Sequence, residues 1–147
     1  YRMSNILAAL GVGQLSRLDE MVERRRAVRD AYAKHLADIP SISFLGRDSE
    51  TGDAADNCWL TCVILGAEAD KTPDDVIAAL GERNIEARHL WKPMHLQPLF
   101  RNARMFGGGV SEHLFARGVT LPSGSVLSAH DIDRVVTAIR YVLDAEA

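Results

Sequence analysis

Apolar positions along this chain follow two periods. Ser4 is suited to cap a helix, and Ile6, Leu7 and Leu10 follow it on one face. Ser16-Arg17-Leu18-Asp19 has the S-x-x-D form of a second capping box. The spacing therefore predicts a break or kink near residues 15–17, and Gly11 and Gly13 weaken the first segment. Beyond the break Met21, Val22, Val28, Tyr32, Leu36 and Ile39 keep a helical stripe that Pro40 ends. Residues 42–45 read as a short strand and the polar residues 46–57 as a surface loop. Residues 58–65 form the strongest strand pattern, apolar on both faces as a central strand would be.

The second half has clearer punctuation. Thr72-Pro73-Asp74-Asp75 places a capping threonine, a proline at the first helical position and acids in the first turn. Val76, Ile77 and Leu80 make the buried stripe, and Asn84 is placed to close the helix in the left-handed conformation. Residues 85–90 return as a strand, 110–117 suit one short helix, and 119–121 form a brief strand closed by Pro122. Ser128 caps the last helix, with Asp131 completing the box and Leu127 able to staple onto Ile132. Val135, Val136, Ile139, Val142 and Leu143 line its inner face. This order predicts an α+β fold: a small antiparallel or mixed sheet of three to four strands with helices on one face.

The 147 residues make one domain, long enough to bury a core without staples. Hydrophobic residues make up 47% and charged residues 25%, ordinary for a globular chain. A net charge of −3 gives no reason to expect nucleic-acid binding. No apolar run approaches the ~20 residues of a membrane helix, and the start has no signal-peptide pattern. In an extended strand Cys58 and Cys62 would lie ~13 Å apart, too far for a disulfide. Buried free thiols are the simpler expectation.

Candidate chemistry gathers in Arg88-His89-Leu90-Trp91-Lys92-Pro93-Met94-His95-Leu96-Gln97-Pro98. Four potentially cationic groups stand within the eight residues 88–95, beside a tryptophan and two stiffening prolines. Arginine and lysine pair with phosphate or carboxylate oxygens, and an indole offers a stacking face. An anionic ligand with a ring would fit; so would a plain surface loop whose tryptophan is anchored in the core. His89 and His95 match no metal-ligand spacing and have cationic neighbours, so no metal is expected. Gly107-Gly108-Gly109 has neither phosphate-loop spacing, and Ser123-Gly124-Ser125 is a turn, not a nucleophile elbow. Arg24-Arg25-Arg26 reads as a solvated helix face rather than a binding patch.

Three separated blocks carry a resemblance. Tyr1-Arg2-Met3-Ser4, then Ala8-Ala9-Leu10-Gly11, Gln14-Leu15, Leu18-Asp19 and the arginine triple form the first. The second is Trp91 to Pro98, with its His95-Leu96-Gln97-Pro98, and the third is Leu121-Pro122-Ser123-Gly124 before a capped helix. In this order the chain resembles the DegT/DnrJ/EryC1/StrS aminotransferases, as their C-terminal small domain. The resemblance implies the aspartate-aminotransferase-like fold, a homodimer and pyridoxal phosphate as cofactor; a cytoplasmic location is expected. It implies amino transfer from glutamate to a keto group of a nucleotide-linked sugar. Arg2 matches the family arginine that reaches the neighbouring subunit's site, which implies binding of the cofactor phosphate or a substrate carboxylate. Trp91, Lys92 and His95 match a loop near the sugar-nucleotide site, which implies substrate binding.

One departure limits this expectation. The chain has only Lys34, Lys71 and Lys92, and none stands in the Ser-x-x-Lys context of the cofactor lysine. No catalytic residue is therefore assigned. Residues 1–147 are expected to be a single C-terminal domain without the large domain that carries that lysine, and inert alone. A stand-alone anion-binding module, or a dimerisation module built on the long first helix, is the alternative.

Overall fold

The computed structural model describes residues 2–46 and 55–143. Tyr1 and most of the polar loop expected at 46–57 lie outside the described residues. Helix α1 (Asn5–Leu15) starts on Ser4, whose side chain accepts the Leu7 N–H at 3.3 Å. The chain then breaks where expected, and α2 runs Leu18–His35. Ser16 does not cap it. Its hydroxyl turns back to the Gly13 carbonyl at 3.0 Å, and the N-cap residue is Arg17, with no side-chain cap. Helix α2 also ends before Pro40, at His35, with Leu36 as its C-cap.

Strand β1 (Ile42–Phe44) pairs with β2 (Thr61–Leu65), and β2 with β4 (Gly118–Leu121); β3 (Arg88–His89) takes the far edge. The order is β1-β2-β4-β3 and every pairing is antiparallel. The expected α+β architecture is present. Two strands are shorter than their apolar runs. Residues 58–60 do not join β2, because Cys58 adopts a left-handed φ of 51°. Residues 85–87 stay outside β3, because Asn84 closes α3 (Pro73–Gly81) at φ 56° and the Ile85 N–H returns to the Leu80 carbonyl.

Thr61, Val63, Leu65, Val119 and Leu121 share one sheet face by register. That face meets Val28 and Tyr32 of α2 with its C-cap Leu36, Val76 and Leu80 of α3, and Ile132, Val135, Val136 and Ile139 of α5 (Ala129–Leu143) in one core. Helix α4 (Val110–Arg117) leads directly into β4. Thr72 and Ser128 both make the reciprocal capping contacts with Asp75 and Asp131. These contacts hold both carboxyls below the ordinary aspartate range. The Tyr32 hydroxyl donates to the Pro122 carbonyl at 3.0 Å, and burial, with Asp131 adding, raises its pKa. Ser123, expected as a turn residue, proves to be a buried latch. Its Oγ accepts the Thr61 N–H and donates to the Leu121 carbonyl, each at 2.7 Å.

No described helix is long and apolar enough to cross a membrane. Both cysteines are free as expected, though only Cys58 is buried; Cys62 is half-buried. Burial, then the nearby Asp56 charge, raises the Cys62 thiol pKa. No group of His, Cys, Asp and Glu among the described residues can hold a metal ion.

Candidate functional site

The segment after β3 holds the candidate chemistry. Pro93 is buried and leads into two short 3₁₀ turns, Met94–Leu96 and Pro98–Phe100. Gln97 folds back to the Lys92 carbonyl at 3.4 Å. This closed turn leaves Trp91 63% exposed and Lys92 exposed, so Trp91 is not a core anchor.

Three of the four groups of the expected cationic island meet carboxylates. Arg88 pairs with Glu86, His89 Nε2 lies 2.9 Å from Asp74 Oδ1, and His95 Nε2 lies 2.9 Å from Glu112 Oε1. The carboxylates come from α3, α4 and the turn before β3, which sequence spacing does not reveal. Lys92 has no carboxylate partner among the described residues. It is therefore the group here best able to meet an anion. His95 serves first to tie the 3₁₀ turn to α4.

Trp59 joins this region, although no sequence pattern links it to residues 88–98. Its ring centroid lies 5.7 Å from that of Trp91, with 35° between the planes, and the ring is 59% exposed. Trp59, Leu60, Leu90, Trp91, Arg88 and Thr120 line much of a cleft of about 460 Å³. Arg88 and Thr120 are register partners on the sheet face opposite the helix-covered core.

Arg2 sits in the extended segment before α1 and is exposed. No hydrogen bond or ion pair among the described residues joins it to Trp91, Lys92 or His95. The described residues do not assemble a pyridoxal phosphate site by themselves. Lys34 lies exposed near the end of α2, Lys71 stands beside the α3 cap and Lys92 is on the β3 loop. The helix starts at Ser4, Thr72 and Ser128 are filled by their own side chains, and Gly107 to Gly109 is exposed.

The family model of the DegT/DnrJ/EryC1/StrS aminotransferases matches residues 1–140. The chain belongs to this family. It is 40% identical over 146 residues to EpsN of Bacillus subtilis, assigned by name as a pyridoxal phosphate-dependent aminotransferase. That match covers 97% of this chain and 36% of EpsN. It is 34% identical over 149 residues to the GDP-perosamine synthase of Caulobacter vibrioides, covering 97% of this chain and 38% of the synthase. Among solved structures, DesV of S. venezuelae superposes with a TM-score of 0.80 at 25% identity, covering 99% of this chain and 38% of DesV. The chain thus spans little more than a third of the length of the curated relatives it matches.

Proposed function

We propose that this chain is the C-terminal domain of a pyridoxal phosphate-dependent aminotransferase acting on a nucleotide-linked sugar. The observation that carries this is family membership over residues 1–140 in a chain about a third as long as its relatives. A GDP-perosamine synthase among those relatives supports the substrate class. Glutamate is the amino donor and the acceptor is a keto group on the sugar. The enzyme works as a cytoplasmic homodimer.

When bound, the cofactor supplies an electron sink for moving an amino group. Its lysine belongs to the part of the protein outside these residues, since Lys34, Lys71 and Lys92 follow Ala31, Glu68 and His89 rather than a serine three places earlier. The role of this chain is to bind and orient. Arg2 offers a guanidinium to the cofactor phosphate or a substrate carboxylate across the dimer, matching either in bidentate fashion. Lys92 faces the anionic part of the sugar nucleotide. Trp91 supplies a flat apolar wall, and His95 fixes the turn that carries both. Residues 1–147 alone are inert.

The test compares the full natural polypeptide with residues 1–147. Both are assayed for visible absorption before and after borohydride, and for glutamate-dependent amination of a nucleotide-linked keto sugar. The full protein is expected to show a cofactor band that borohydride removes and to aminate the sugar, while residues 1–147 do neither. A full protein with neither property overturns the reading.

A further inference from the structure

Trp59 and Trp91 are the only tryptophans in the chain, and the fold brings them together from 32 positions apart. Both remain more than half exposed, at 59% and 63%. A tryptophan buries 150–250 Å² when it serves a core, so an exposed pair forgoes substantial stabilisation.

The local backbone enforces this arrangement. Had β2 continued back through residue 59, alternation would place Trp59 on the core face with Thr61 and Val63. Instead Cys58 takes φ 51°, a region that non-glycine residues rarely adopt. One carboxylate organises the turn. Asp56 Oδ1 accepts the Cys58 N–H at 2.9 Å, and Oδ2 pairs with Arg29, a residue of α2 only 2% exposed. The Asp56 carbonyl also accepts from Arg26 at 3.1 Å. A buried guanidinium thus holds a strained turn whose product is an exposed indole.

We propose that Trp59 and Trp91 form a single platform that stacks the planar base of a nucleoside diphosphate, and that the Arg29–Asp56 pair positions Trp59 in it. The proposal rests on the nucleotide-sugar reading above and adds the place where the base lies. The rings stand 35° from parallel and open onto the cleft of about 460 Å³, room enough for a base. Stacking suits any base because each has a π face. Lys92, next to Trp91 and without a carboxylate partner among the described residues, meets the diphosphate. Asp56 and Arg29 are positioning residues and touch no ligand.

The experiment uses the full natural polypeptide and titrates GDP, UDP and TDP by calorimetry, with pyrophosphate as the base-free probe. Trp59→Ala and Trp91→Ala are each expected to weaken nucleotide binding by about tenfold or more and to leave pyrophosphate unchanged. Lys92→Met is expected to weaken both probes. Asp56→Asn should raise KM for the nucleotide sugar while leaving the glutamate half-reaction at its original rate, a split that general loosening would not produce. Trp59→Leu and Trp91→Leu keep bulk without a π face and are expected to show the same loss, which covers an alanine variant that does not fold. Unchanged nucleotide affinity in both tryptophan variants overturns the proposal, and so would a cleft covered by the rest of the protein. Tryptophan-dependent nucleotide binding in a protein that cannot transaminate would sink the aminotransferase reading and leave the platform standing. Transamination with unaltered KM in the tryptophan variants would do the reverse.

Discussion

Ser123→Ala removes one oxygen and tests how the sheet is locked. Ser123 Oγ accepts the Thr61 N–H at the first residue of β2 and donates to the Leu121 carbonyl at the last residue of β4. Thr61 is 1% exposed and Ser123 6%, so water cannot replace the lost acceptor without opening the strand pair. The Leu121 carbonyl loses one donor, but a carbonyl with two lone pairs tolerates this better than an orphaned N–H does. The cost is that of one buried unsatisfied donor, about 1–3 kcal/mol, with almost no change in volume. For a domain of this size each kcal/mol lowers Tm by roughly 3–5 °C. Urea denaturation followed by circular dichroism should move the midpoint down with an unchanged slope. Ser123→Cys keeps a weak acceptor and should fall between wild type and alanine. A loss below about 0.5 kcal/mol for the alanine variant, the scale of ordinary surface substitutions, would refute the claim that this hydroxyl locks β2 to β4.

Other outcomes follow from the same structure. Gly118→Ala is expected to cost ~1–3 kcal/mol in chemical denaturation, because its Cβ would press on the Leu90 side chain and lie 2.5 Å from the Leu114 carbonyl oxygen. Its φ of −100° is ordinary, so the cause is space alone. Gly11→Ala meets no atom within 4 Å and should raise helicity by circular dichroism. Thr72→Ala and Ser128→Ala should each lower Tm by roughly 2–5 °C in scanning calorimetry. Asp38, Asp75 and Asp131 all have pKa values depressed in the fold, Asp38 mainly through Arg140. Their stabilisation is complete above the unfolded aspartate value and is lost as pH falls through the lower folded values. Acid titration of stability should therefore decline below the ordinary 3.8, less steeply in the two cap variants. Residues 1–147 should self-associate through α1 in sedimentation at high concentration, and glutamine at Leu7 and Leu10 should return a monomer.

The helices were legible wherever a local rule fixes them. Ser4, Thr72 and Ser128 act within three residues of themselves, and each caps as its sequence implies. Ser16 failed because its hydroxyl had the Gly13 carbonyl as a nearer alternative. The strand ends are not legible in the sequence because hydrophobicity reports burial rather than pairing. Cys58 and Ile85 are buried, yet left-handed residues at 58 and 84 keep the first residues of both runs out of the sheet. The 88–98 loop was visible from composition, but its charge was not. Glu86, Asp74 and Glu112 lie 2, 15 and 17 positions from Arg88, His89 and His95, the side chains they meet. Trp59 was invisible as a site residue, since only the fold places it against Trp91.

Helix α1 and the tryptophan cleft are both uncovered apolar surfaces, and their chemistry differs. Helix α1 has no buried residue, with Ile6, Leu7, Leu10, Val12 and Leu15 all more than half exposed. These side chains point around the helix rather than along one stripe, and a helix apolar all round is one that other protein encloses. Aliphatic side chains carry no orientational preference for a planar ligand. The Trp59–Trp91 cleft is the opposite case: two flat rings, a strained turn holding one ring outward and, next in sequence to Trp91, a lysine with no carboxylate partner among the described residues. Lys92, exposed and next to Trp91 in sequence, suits the phosphates of the ligand proposed above. Under the proposal above, this chain offers α1 to protein and the tryptophan cleft to a nucleotide.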